Sequence, residues 1–138
     1  PYHREIETLV TARIAARKPT AMISIHSFTP VFKGMPRRWQ VGVLSHRDRR
    51  MADPLLRALR ADAGLEVGDN QPYAPRDGVY HTLERHAEAL GLPCVMLEIR
   101  NDLIRDTPGQ QSWAERLAPL LLRAFEDARA VEGAAGRR

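Results

Sequence analysis

Apolar positions along this chain change period several times, and each change marks an element. From residue 4 to 17 they recur three and four apart. Ile6, Leu9, Val10 and Ile14 share one face, with Glu5, Glu7, Arg13 and Arg17 elsewhere. That spacing predicts an amphipathic helix, ended by Pro19. The run Thr20 to Ile25 then reads as a strand that stops at His26-Ser27. Residues 27–38 carry Pro30, Gly34 and Pro36 and read as a loop. Trp39 to Leu44 is a second strand. A helix follows, from Arg49 or from Asp53, to Arg60. With Asp53 as N-cap, Pro54 takes the first helical position.

Leu65-Glu66-Val67 is a short third strand, and 69–78 is a polar loop. Val79 to Leu90 is a helix closed by Gly91, suited to the left-handed position past a helix end. Pro93 to Ile99 is nearly all apolar, as a buried parallel strand should be. The last helix runs from Gln110 to Ala130 and is bent by Pro119. Strands alternating with helices predict an α/β fold with a mostly parallel sheet flanked by helices. Residues 1–132 are expected to form one domain, with 133–138 a disordered tail.

Composition narrows the class. The chain has 138 residues, of which 43% are hydrophobic and 28% charged, enough for one core and not for two. No apolar run nears the roughly 18 residues of a membrane helix. No basic segment followed by an apolar one opens the chain, so no signal peptide is expected. The net charge of +4 is scattered among acids and not interleaved with aromatics. It suits an acidic small substrate better than nucleic acid. A lone cysteine, Cys94, sits in an apolar strand and reads as a small buried hydrophobe. One thiol fits a reducing compartment, and the expected place is the cytoplasm.

Two strand ends carry the candidate chemistry. In open α/β sheets, functional groups gather outside the carboxyl ends of strands. One such end presents His26 and another Glu98. A neutral imidazole is a good zinc ligand, although a single His at a strand end is more often structural. A carboxylate closing an apolar strand is costly to bury unless paired or functional. Glu98 therefore reads either as a general base or as half of an ion pair with Arg100 or Arg105. Arg100 shares the face of Glu98 and is a candidate for an anionic substrate group.

Asn70 is a candidate for a substrate oxygen, and Tyr73 or Tyr80 for capping a pocket. His81 and His86 stand roughly 140° apart around their helix, so they do not form one metal-binding face. His3 and His46 read as solvent-facing. A phosphate-cradling Gly-rich loop, a CxxC pattern and a nucleophile elbow are all missing from the sequence.

Several segments together resemble the N-formylglutamate amidohydrolase family. They are Ser24 to Pro30, Val41 to Leu44, Gly68 to Tyr73 and Leu97 to Ile104, with Pro1-Tyr2-His3 and the helix after it. The resemblance implies a fold like the zinc carboxypeptidases and aminoacylases, incomplete at its N-terminus here. It also implies zinc-dependent hydrolysis of the amide of an N-acyl amino acid such as N-formylglutamate, in histidine breakdown. His26 would be a zinc ligand and Glu98 the general base. Arg100, Asn70, Tyr73, Tyr80 and His86 would lie on the substrate side. Family members are longer, and their remaining zinc ligands are expected upstream of Pro1. The partner expected is a small N-acyl amino acid, with neither nucleic acid nor membrane. The alternative is a non-catalytic α/β binding or assembly module that keeps these residues.

Overall fold

The computed structural model describes residues 1–135. Helix α1 spans Tyr2–Ala15, α2 Ala52–Arg60, α3 His81–His86 and α4 Thr107–Ala135. The strands are β1 (Met22–Phe28), β2 (Val31–Phe32), β3 (Met35–Pro36), β4 (Val41–Leu44), β5 (Val67–Asp69) and β6 (Cys94–Arg100). The order of elements matches the one predicted, with three changes. His26 lies inside β1 and not beyond it. The loop after β1 holds a small hairpin, β2 on β3. The helix expected over 79–90 is α3 followed by a separate 3-10 turn, Glu88–Leu90. Helix α4 continues three residues into the expected tail, and 136–138 lie outside the described residues.

The main sheet has the order β1-β6-β4-β5. β1 and β6 are parallel, β4 and β5 are parallel, and β4 meets β6 antiparallel. Two of the three pairings are therefore parallel, but the two pairs run in opposite directions. The carboxyl ends of β1 and β6 lie at one end of the sheet, and those of β4 and β5 at the other.

Strand alternation sends side chains to two faces. Val41, Val43, Val95, Leu97 and Ile99 pack on α2 and α4 through Leu55, Leu56, Leu59, Trp113, Leu117 and Leu121. Helix α2 builds its apolar stripe from Ala52, Leu55, Leu56 and Leu59, all buried. On the opposite face, Leu44, Cys94 and Met96 pack with Tyr80, Leu83 and Ala87 of the α3 region. Helix α1 joins this side through α3. Of its predicted apolar face only Val10 is buried, and Leu9 and Ile14 are exposed. The stripe is too short of partners to act as a core face.

Candidate active site

The register sets the site. His26 of β1 stands opposite Glu98 of β6, and Glu98 stands opposite Gly42 of β4. Gly42 in turn is level with Gly68 of β5. Residues in register share a face, so His26, Glu98 and the two glycines form one row across the sheet. The two glycines make room for backbone. A Cβ on Gly42 would sit 2.0 Å from the carbonyl oxygen of Gln71, and one on Gly68 2.6 Å from the same atom. The loop after β5 therefore lies directly on the sheet, next to Glu98, and delivers Tyr73 to that side. Asn70, which begins this loop in the left-handed region (φ 52°), is the turning point.

Glu98 is 3% exposed. Its Oε2 atom is buried with no hydrogen-bond partner among the described residues. The ion pair with Arg100 or Arg105 is not formed. Burial pushes the Glu98 carboxyl up to about 7, and the positive charge of Arg37 pulls against that shift. A carboxylate poised near neutrality with an open acceptor is suited to taking and returning a proton. His26 is exposed at the margin of the sheet, and its Nε2 forms a 2.8 Å hydrogen bond with Ser24 Oγ on the same face.

The other candidates divide. Tyr73 lies at the site, its hydroxyl accepting a 3.1 Å hydrogen bond from Arg37 Nη1. Arg100 is on the right face but occupied: Nε and Nη2 donate to the two oxygens of Asp102 at 2.8 and 3.2 Å. This holds the Asp102 carboxyl below its usual range. Asn70 is a structural pin, its Oδ1 accepting from the Ser45 amide at 3.0 Å and its own amide donating to the Val43 carbonyl. It lies two residues past Gly68 of the His26 row and is separated from His26 by the width of the sheet, since β5 and β1 are its outer strands.

Tyr80 and His86 are not brought to Glu98. Tyr80 is buried with its hydroxyl 3.6 Å from Cys94 Sγ, which is four residues or about 13 Å along β6 from Glu98. Cys94 is buried, as expected, and burial pushes its thiol up to about 11. His86 is buried in α3 and shares a 2.8 Å hydrogen bond with His3 Nδ1. His3 is thus a partner for α3 and not a solvent-facing side chain. His46 is exposed, as expected, with Nδ1 3.4 Å from Glu88.

Two contributors escaped the sequence reading. Arg37 reads as one more loop cation until its neighbours are known. Gly42 and Gly68 did carry a signal, since an isolated glycine in a strand marks a close backbone approach.

A catalytic zinc takes three protein ligands and a water. Among the described residues no group of three His, Cys, Asp or Glu side chains is placed to hold a metal ion. His26 is one donor, and the described residues do not complete a zinc set around it. None of the described helices is long and apolar enough to cross a membrane.

The N-formylglutamate amidohydrolase family matches residues 1–105, a span that holds His26, Arg37, Gly42, Gly68, Tyr73 and Glu98. A solved structure, the gene product Atu2144 from Agrobacterium tumefaciens, is similar to the chain with a TM-score of 0.85 and 39% sequence identity. The similarity covers 94% of this chain and 51% of that one, so the chain spans about half the length of that neighbour. No curated protein matches. With more than half of its residues inside the family match and its buried carboxylate row within that span, the chain belongs to the N-formylglutamate amidohydrolase family.

Proposed function

We propose that this chain carries the proton-transfer half of an amidohydrolase site that cleaves the amide of an N-acyl amino acid, N-formyl first. The observation behind the reading is Glu98: buried, without a hydrogen-bond partner on Oε2, and set in register beside His26. Glu98 as carboxylate takes a proton from the attacking water. The carbon–nitrogen bond then breaks, and the same proton goes to the leaving nitrogen, giving formate and the amino acid. His26 would be this chain's donor to a zinc ion that needs further ligands. When bound, such an ion supplies Lewis acidity at the carbonyl.

Changing Glu98 to Gln tests the base. Turnover of N-formyl-L-glutamate should fall by about 10²–10⁴-fold with little change in KM. A loss below about tenfold would remove Glu98 from the chemistry. Zinc content tests the ligand role: about one ion per active protein is expected, lost on His26→Ala.

The lack of a three-donor group among the described residues favours a second reading, a binding or assembly module that performs no hydrolysis. Binding of N-acyl amino acids with neither metal nor turnover would select it.

A further inference from the structure

Arg37 follows the β2–β3 hairpin and is half-buried on the Glu98 side of the sheet. Its guanidinium carbon lies 4.5 Å from the ring centroid of Phe32, 4.8 Å from that of Tyr73 and 5.8 Å from that of Phe28. Nη1 donates to Tyr73 Oη at 3.1 Å and, at 3.5 Å, to the Thr29 carbonyl. Three rings hold the planar group in place, so little rotamer freedom is left to lose on binding.

What sets Arg37 apart is that a guanidinium in contact with three rings forms no ion pair among the described residues. Arg49 is paired with Asp53 and Asp69, Arg50 with Asp48, Arg100 with Asp102 and Arg116 with Asp62. Arg38, the next residue, faces Glu66 at 3.7 Å. Arg37 has no carboxylate partner among the described residues, and its charge is felt at Glu98. A preorganised guanidinium without its own anion, beside a carboxylate that is itself hard to ionise, is a receptor for an external carboxylate.

We propose that Arg37 is the specificity residue of this site and binds a carboxylate of the substrate, the role the sequence reading gave to Arg100. The inference rests on the amidohydrolase reading for the rest of the ligand, and it defines the substrate class as N-acyl amino acids that keep a free carboxylate. Arg37 positions and selects, while Glu98 moves the proton.

The test is direct binding, by calorimetry, of N-formyl-L-glutamate and of its uncharged diamide. It uses the wild-type protein, Arg37→Met, Arg37→Lys and, as a neighbour control, Arg38→Met. Wild type should prefer the dicarboxylate by at least about tenfold, as expected for charge-assisted hydrogen bonds. Arg37→Met should weaken the dicarboxylate by about 10–100-fold and leave the diamide unchanged. Arg37→Lys keeps the charge without the planar fork and should recover part of the preference. Arg38→Met should behave as wild type.

Equal weakening of both ligands in the Arg37 variants would mean a structural role and overturn the proposal. Wild-type binding of the diamide as tightly as the dicarboxylate would overturn it too, while leaving the amidohydrolase reading intact. Failure of wild type to bind either ligand would remove both together. If Arg37→Met does not fold, the preference ratio in Arg37→Lys decides alone: a ratio equal to wild type's rejects the planar-fork role.

Discussion

At the scale of single residues, function and stability pull Glu98 in opposite directions. Its carboxyl is raised to about 7 by burial, against about 4.5 in an open chain. The folded state therefore holds a proton that the unfolded state gives up between those values. The stabilisation from this group is complete at low pH and is lost as pH rises through 7. Above 7 the folded protein carries a buried anion with an unsatisfied oxygen. Glu98→Gln removes that charge. At pH 8 the variant should be more stable than wild type, by on the order of 1–3 kcal/mol, and at pH 4.5 about equal. Urea unfolding at the two pH values measures this. A variant less stable at pH 8 would mean that Glu98 has a partner when ionised. The buried carboxyl without a partner on Oε2 is the feature on which the proposed general-base role rests. That much was legible in the sequence, because a carboxylate at the end of an apolar strand has few bland explanations. Arg37 was not legible. Its meaning lies in what is absent around it, and sequence spacing cannot report a missing counter-ion.

At the scale of elements, the site depends on a loop lying on bare backbone. Gly42 and Gly68 leave no side chain between the sheet and Gln71, and Tyr73 follows two residues later. Gly42→Ala would force a Cβ to within 2.0 Å of the Gln71 carbonyl oxygen, a backbone atom that yields only if the loop shifts. A loss of about 1–3 kcal/mol in stability is expected from such overpacking. Displacing the loop moves Tyr73 off Arg37, so binding of a carboxylate ligand should weaken along with stability. Thermal unfolding and ligand titration on the same sample check both. Retained binding in a destabilised Gly42→Ala protein would separate the loop from the site. The strands themselves were readable from alternation and apolar runs, and β6 in particular from its unbroken burial. Their directions were not. The reversal of β4 and β5 against β6 arises from register and connection geometry.

At the scale of the whole molecule, two buried titrations of opposite sign meet in one pH range. His86 lies under α1, and burial lowers its pKa, helped by the nearby charges of His3, Arg85 and His81 and opposed by Glu7. Protonation of both rings would break the His3–His86 hydrogen bond that ties α1 to α3. A base with a depressed folded pKa contributes stability above its ordinary value near 6.5, and that stability is lost as pH falls. Glu98 does the reverse between about 4.5 and 7. Where the two ranges overlap below about 6.5 the slopes oppose, so wild-type stability should fall less steeply with pH than Glu98 alone would make it. Asp62 and Asp102 are both held below their usual range and do not interfere there. Separating the pair exposes each slope. Glu98→Gln should leave a protein whose Tm rises with pH below about 6.5, because the lowered His86 pKa then sets the slope. His86→Gln should leave one whose Tm falls between about 4.5 and 7, because the raised Glu98 pKa then sets the slope. The double variant should lack both slopes. Parallel Tm curves for all four proteins would mean that folding shifts neither group's pKa, and would return both to ordinary carboxylate and imidazole behaviour. Opposite slopes would show that burial shifts His86 under α1 and Glu98 in its row in opposite senses, each offsetting part of the other's pH dependence where their ranges overlap.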